Sequence, residues 1–521
     1  MSWEPEIEEL EKRRRAAEAL GGPQAIARQR AQGRLTIRER IERLVDPGSL
    51  TEIGQLTGTG TYDETGRLVT VKPAPYVMGV ATIDGRPVAV GGEDFTVRGG
   101  TSWGSSRRKG GQGGFVEDLA HEYRIPLVNL IDGAGGTVTS IRTRKHTTFP
   151  GVFGFERSVE LLGEVPVVCA VLGTAAGGPA GRAILSHWSV MVRGSSQIFA
   201  AGPPVVERSL GQKLDKEALG GAAIAVDTAG TIHNAVESEE ACLREIRRFL
   251  AYLPQNVWEL PPLGPTDDPP DRREEALLTI VPRKRTQPYD MRKLVAMVVD
   301  RGSVFEIQPT WGTAVVTCLA RLGGFPIGVV ANHPMVYGGA MDARTARKQV
   351  HFMELCDAFH IPLVFLVDVP GFMVGVKAEE MGTLREGMRA VYMASKITVP
   401  TLTLVIRKCY GMAGMAPSNK TRLDYKVAWP SGEWGSLPLE GGVAAAFRRE
   451  IAAAPDPAGR EREIEAELRQ YMSPFRTAEA FAVEDIIDPR DTRPFLHRFL
   501  TLARRRLETE HGPKSKTGVQ P

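Results

Sequence analysis

Ile125-Pro126-Leu127-Val128-Asn129-Leu130-Ile131-Asp132 returns in the second half of the chain as Ile361-Pro362-Leu363-Val364-Phe365-Leu366-Val367-Asp368. Each is a nearly continuous apolar run with proline in second place and an aspartate at its end. Such runs read as strands buried on both faces, the kind that parallel sheets contain.

Outward from this pair, three further blocks repeat in the same order. Asp46-Pro47-Gly48-Ser49-Leu50-Thr51-Glu52-Ile53 matches Asp300-Arg301-Gly302-Ser303-Val304-Phe305-Glu306-Ile307. Gly85-Arg86-Pro87-Val88 with Val97-Arg98-Gly99-Gly100 matches Gly324-Phe325-Pro326-Ile327 with Val336-Tyr337-Gly338-Gly339. The segment from Val165-Pro166 to Gly177 matches that from Val399-Pro400 to Gly411. Four matches in register imply a duplication. The alternation of apolar strand, glycine turn and helical spacing (343–359, 381–395 and 461–472) predicts an α/β fold built as a tandem repeat. A proline-rich stretch separates the copies and reads as an extended linker at 259–285. The domains expected are therefore 1–258 and 286–505, with a basic, polar and disordered tail at 506–521.

The bulk numbers exclude several classes. A chain of 521 residues exceeds one compact domain. Its net charge of +3 on 65 basic and 62 acidic side chains requires neither nucleic acid nor membrane as a partner. Five cysteines without C-x-x-C spacing argue against a zinc ribbon or a disulfide framework. The nine histidines show no metal spacing. The charged segment 3–30 has no signal-peptide core, and no apolar run is long enough to span a bilayer. The expectation is a soluble, cytoplasmic protein with no metal of its own.

The chemistry lies in glycine turns that follow strands: Gly99-Gly100, Gly133-Ala134-Gly135-Gly136, Gly177-Gly178 and Gly411-Met412-Ala413-Gly414. Glycine lets the backbone approach a ligand, and two amides aimed at one oxygen form an oxyanion hole. One such turn alone is ordinary turn chemistry. Their recurrence at equivalent places in both copies suits a reaction that develops two oxyanions. Arg98, Arg107, Arg108 and Lys109 cluster beside the first turn and could hold the phosphates of a coenzyme A-like carrier. Gly100-Thr101-Ser102-Trp103-Gly104 formally fits G-x-S-x-G, but the polar run after it is no apolar helix start. No Walker A motif is present. Asp132 and Asp368, at their strand ends, read as turn caps at least as readily as catalytic groups.

These residues resemble the carboxyltransferase (beta) subunits of biotin-dependent acyl-CoA carboxylases of the propionyl-, methylcrotonyl- and geranyl-CoA type. The resemblance rests on Arg34-Leu35-Thr36-Ile37-Arg38-Glu39-Arg40-Ile41, on Asp94 to Gly100, on Leu219-Gly220-Gly221-Ala222 and on Cys356-Asp357-Ala358-Phe359. It continues through Asp368-Val369-Pro370-Gly371-Phe372, Trp429-Pro430 and Val483 to Arg490, and covers residues 34–496. It implies two crotonase-like domains. Acyl-CoA would be held by the N-terminal one, and carboxybiotin by the C-terminal one of a partner subunit.

In that family Gly177 and Gly178 would donate amides to the thioester enolate, and Met412 and Ala413 to the biotin ureido oxygen. Arg98, Gly99, Gly100, Arg107, Arg108, Lys109, Gly135 and Gly136 would contact coenzyme A. Pro370, Gly371, Phe372 and Gly411 would contact biotin. Carboxybiotin supplies carbon dioxide and its ureido nitrogen takes the α-proton, which explains why no protein base stands out.

The resemblance further implies a dimeric active unit within a hexamer, served by separate biotin carboxylase and biotin carboxyl carrier chains. The chain departs from similar proteins at 133–137, at Pro179 and at 411–415, where the acyl pocket would lie. Its motifs mix branched-chain (Gly100-Thr101, Phe199 to Val205) with propionyl-type features. Two other readings stand beside the carboxylase: a biotin-dependent decarboxylase running the half-reaction backwards, and a non-catalytic assembly paralogue.

Overall fold

A computed structural model describes residues 2–101, 114–136, 138–139, 141–142, 145–147, 155–415, 425–514 and 518–520. The chain divides into two units, Met1–Glu259 with Gly512–Pro521, and Leu260–His511.

In the first unit the strands are β1 (Thr51–Glu52), β2 (Gly58–Tyr62), β3 (Leu68–Pro73), β4 (Tyr76–Ile83) and β5 (Arg86–Glu93), then β6 (Leu127–Gly133), β7 (Val167–Ala176), β8 (Trp188–Val192), β9 (Gln197–Phe199) and β10 (Asn234–Val236). The main sheet runs β1-β4-β5-β6-β7-β8-β10, with β9 on β7 and β2-β3 as a separate hairpin. In the second unit they are β11 (Phe305–Ile307), β12 (Val315–Leu322), β13 (Phe325–Asn332), β14 (Leu363–Val369), β15 (Thr401–Tyr410), β16 (Lys426–Ala428), β17 (Glu433–Gly435) and β18 (Asp485–Ile486). Their order is β11-β12-β13-β14-β15-β16-β18, with β17 on β15. The two sheets have one topology, antiparallel for the first three strands and parallel beyond. The tandem duplication is thus present in three dimensions.

The repeated blocks have local reasons. β4 turns into β5 through Asp84-Gly85, and β12 into β13 through Gly323-Gly324, all at positive φ, as tight two-residue hairpins demand. Asp46 accepts the amides of Asp84 and Gly85 at 3.0 and 2.8 Å. Asp300 accepts those of Gly323 and Gly324, both at 2.9 Å. The Asp-x-Gly-Ser blocks are therefore hairpin caps rather than catalytic groups. Pro126 and Pro362 lie just ahead of their strands, and their carbonyls accept Ala89 N–H and Gly328 N–H at 2.8 and 2.9 Å. β6, β7 and β14 are buried along their whole lengths, as continuous apolar runs predict.

The segment expected as a linker, 259–285, differs from that expectation. It belongs to the second unit, where Arg272 pairs with Asp268 at 2.6 Å and donates to the carbonyls of Met297 and Val299. Leu277 beside it is buried in the core. Proline keeps the segment extended, yet its polar groups are satisfied by packing against that core. The tail expected at 506–521 begins inside the helix Thr492–Leu507, whose Leu507 is buried.

Candidate active site

At the carboxyl ends of β5, β6 and β7 the first unit folds its glycine turns against one another. Arg98, Gly99 and Gly100 form a single turn with φ of 54°, 67° and 64°. A Cβ on Gly100 would lie 2.4 Å from the Asp132 carbonyl oxygen, so only glycine allows this approach. The next loop is tied back by Ala134 N–H, which donates to Gly99 O at 3.0 Å. Gly135, at φ 78°, presses on the third turn: a Cβ there would stand 2.5 Å from Ala176 O. Gly177, at φ 60°, opens the helix Gly178–Ile184. First-turn amides have no intrahelical acceptor. Because Pro179 lacks an N–H, the donors left there are those of Gly178 and Ala180.

The second unit repeats this construction. Tyr337, Gly338 and Gly339 turn with φ of 50°, 64° and 86°, and a Cβ on Gly339 would stand 2.2 Å from Asp368 O. Gly371, at φ 143°, accepts Met341 N–H at 3.1 Å. Gly411, at φ 59°, opens the short helix Gly411–Met415. The registers agree residue for residue, since Gly133 pairs with Ala175 where Val369 pairs with Cys409.

Beneath each set of turns lies an aspartate at a register shift. In the first unit Asp132 meets Arg40 at 2.9 Å and Arg34 at 3.4 Å. Arg40 is fully buried and also grips Glu239 through two bonds of 2.7 and 2.8 Å. Burial alone would lower the Arg40 pKa, but Asp132 and Glu239 outweigh it and hold the guanidinium charged. Burial raises the Glu239 carboxyl against the pull of Arg40. Glu93 accepts Asp132 N–H at 3.2 Å and pairs with the buried Arg182. In the second unit the cations come from β15 itself, with Arg407 and Lys408 at 3.1 and 3.2 Å from Asp368. Gly173 explains the difference. It stands where Arg407 does in the second copy, and a Cβ there would lie 2.1 Å from Asp132 Oδ1. The sequence reads these aspartates as turn caps at least as readily as catalytic groups; instead of capping turns, both lie buried near the ends of their strands as ion-pair centres.

A model of the carboxyl transferase domain matches residues 28–518. The propionyl-CoA carboxylase carboxyltransferase subunit of Haloferax mediterranei is 35% identical, with 100% of each chain covered. The methylmalonyl-CoA decarboxylase subunit alpha of Veillonella parvula is 32% identical over 94% of each chain. The transcarboxylase 12S crystal structure, a hexamer with methylmalonyl-coenzyme A and methylmalonic acid bound, superposes with TM-score 0.86. Its identity is 32%, with 97% of this chain and 96% of that one covered. The chain belongs to the carboxyl transferase family. Its two units are the crotonase-like domains of that fold, and it is a carboxyltransferase enzyme.

Among the residues expected at a carboxyl transferase site, the structure gathers Gly99, Gly100, Gly135 and Gly177-Gly178 in the first unit. Among the described residues no atom stands within 4 Å of a Cβ built on Gly136, and Arg98 is exposed. Arg107, Arg108 and Lys109 lie outside the described residues. In the second unit Met412 is 46% exposed while Ala413 is buried. Phe372 turns its ring onto Gly387 of the helix Thr383–Lys396. Sequence reasoning missed the charged layer of Arg34, Arg40, Glu93 and Glu239, and also Arg407 and Lys408. The last two were visible in principle, because aligning the copies sets Arg407-Lys408 against Gly173-Thr174.

Among the described residues no helix is long and apolar enough to cross a membrane, and no group of three or more His, Cys, Asp or Glu could hold a metal ion.

Proposed function

We propose that this carboxyl transferase moves a carboxyl group between biotin and the α (or vinylogous γ) carbon of an acyl-CoA, as the carboxyltransferase subunit of an acyl-CoA carboxylase. The observation that carries this is the pair of matched turns at Gly177 and Gly411, at φ 60° and 59°, each opening a helix whose first amides have no acceptor within the helix. Gly177 and Gly178 serve the thioester oxygen, where charge develops as the enolate forms. Arg98, with Gly99, Gly100, Gly135 and Gly136, receives coenzyme A together with Arg107, Arg108 and Lys109. Met412 and Ala413 serve the biotin ureido oxygen, beside Pro370, Gly371, Phe372 and Gly411. Biotin, when bound, supplies the transferable carboxyl group and the nitrogen that accepts the α-proton. The residues of this chain orient the thioester and hold its oxyanion; no side-chain base is required of them.

The names of the relatives favour a short acyl group. They also support a second reading, the alpha-type subunit of a biotin-dependent decarboxylase, because one relative of similar identity is of that kind. A biotin carboxylase, a biotin carrier and further copies of this chain, in a dimer or hexamer in the cytoplasm, complete the proposed assembly.

The test is transfer of label from a carboxylated biotin carrier to a panel of acyl-CoAs. Gly178→Pro, which deletes one amide donor, is expected to lower the rate by about 10²–10³ while the chain stays folded. Full activity in that variant would refute the oxyanion assignment.

A further inference from the structure

We infer that the ammonium group of Lys408 receives the carboxylate of the ligand bound at the second unit, an inference that rests on reading that unit as the carboxybiotin site. The two copies differ at one carbonyl of the first glycine turn. In the first, Gly99 O is met by Ala134 N–H at 3.0 Å. In the second, the same carbonyl is Gly338 O, and the counterpart of Ala134 is Pro370, which has no N–H to give. Lys408 Nζ takes that place, at 3.0 Å. Its own counterpart in the first copy is Thr174. Two changes, alanine to proline and threonine to lysine, together exchange a neutral donor for a charged one at the centre of the turns.

The charge balance changes with it. In the first unit Asp132, Glu239 and Glu93 face Arg40, Arg34 and Arg182, three against three. In the second, Asp368 faces both Arg407 and Lys408. The counterpart of Glu93 is Asn332, which accepts Asp368 N–H at 3.3 Å without bringing a charge. Glu433, across from Lys408 on β17, is engaged by Arg285 at 2.7 Å. Among the described residues the Asp368 carboxylate is thus shared by two cations of its neighbouring strand. The first unit does bring an ammonium near, since Lys216 donates to the Thr174 hydroxyl at 3.1 Å. That lysine is exposed and comes from outside the turns.

Lys408 is shielded but reachable, with a side chain 14% exposed. An ammonium has three donors. Gly338 O and Asp368 Oδ1 take two of them, and among the described residues none takes the third. A cation in this setting makes short, charge-assisted bonds to a carboxylate and gives little to a neutral ring. The ligand chemistry it selects is an anionic carboxylate carried on a planar ring, which an uncarboxylated ring would lack.

The experiment uses the full-length chain and follows carboxyl-labelled methylmalonyl-CoA, with the neutral ring of biotin methyl ester as acceptor. Lys408→Met is expected to lower kcat by about ten- to a hundredfold, with KM for the ester within about twofold. Lys408→Arg keeps the charge and is expected to retain at least about a third of wild-type kcat. Thermal midpoints of both variants separate this loss from unfolding. If Lys408→Met unfolds, the arginine variant carries the test. A Lys408→Met enzyme with half the wild-type kcat, or a folded Lys408→Arg enzyme with less than a tenth of it, overturns the inference. Met412→Pro is measured alongside. Abolished transfer there, with Lys408→Met unaffected, sinks only the lysine assignment. Undiminished transfer in Met412→Pro sinks the biotin reading itself.

Discussion

Replacing Arg40 by methionine strips the first unit's charged layer of its centre. The guanidinium makes four hydrogen bonds: two to Glu239, one to Asp132 at 2.9 Å and one to Leu172 O at 2.8 Å. Methionine fills much of the same volume but pairs with nothing. Among the described residues Asp132, with no exposed surface, keeps the Arg34 ion pair at 3.4 Å, and Glu239, 4% exposed, keeps only a hydrogen bond from the Leu35 backbone N–H. Breaking a buried ion pair from one side costs about 3–5 kcal/mol, because the remaining charge is uncompensated. For a unit of this size that amounts to a fall of roughly 6–20 °C in the midpoint of its thermal transition.

The deficit should depend on pH. Burial already raises the Glu239 carboxyl above its ordinary 4.5, and losing Arg40 raises it further. A folded state that holds its proton more tightly than the unfolded one loses stability as pH rises through the interval between the two pKa values. Arg40→Met should therefore come closest to wild type near pH 5 and fall furthest behind at pH 8. Adding Glu239→Gln should recover about 1–2 kcal/mol at neutral pH. Urea unfolding followed by tryptophan fluorescence measures all three chains, since Trp188 stacks on Phe249 of the helix Glu239–Ala251. A loss below about 1 kcal/mol, or a double variant no better than the single one, would refute the reasoning.

Two further outcomes follow from particular groups. Gly135→Ala places a Cβ 2.5 Å from Ala176 O at a φ of 78° and so displaces the Gly177 turn; labelled acyl transfer should fall at least about tenfold, while far-UV dichroism stays unchanged. Lys348 is buried on the helix Ala343–Ala358 with its Nζ on Gln308 O and Val315 O, and burial, opposed by Glu306, pushes its pKa down to about 7. Because the folded state gives up this proton first, the second unit should gain stability by up to about 1.4 kcal/mol per pH unit between pH 7 and 10.5, and Lys348→Met should flatten that slope in paired urea titrations.

Much of the architecture was open to reading in one dimension. The runs Ile125–Asp132 and Ile361–Asp368 marked the central strands, because a strand buried on both faces must be apolar throughout. Their frames were two residues early, since proline cannot donate to a ladder and instead stands just before it. The glycine turns were visible for an equally local reason: positive φ and close backbone approach leave few other residue types possible. The proline stretch at 259–285 was legible as extended chain, but whether extended chain swings free or lies on a core depends on partners such as Arg493, which donates to Pro269 O at 2.8 Å.

What the chain alone determined, then, is the duplication, the strand-turn-helix order and the positions of the turns, because backbone preference and burial periodicity act between near neighbours. Which charges meet beneath those turns was decided only in three dimensions. Arg40 reaches Asp132 and Glu239 from a distant part of the sequence, while Arg407 reaches Asp368 from the adjacent strand. Both solutions neutralise a buried aspartate at the same point of the same fold. Coulomb energy fixes how far apart the charges sit, not which segment supplies them, so one copy took its cations from the helix Ile37–Leu44 and the segment before it, and left room with Gly173. The other took them from its own sheet.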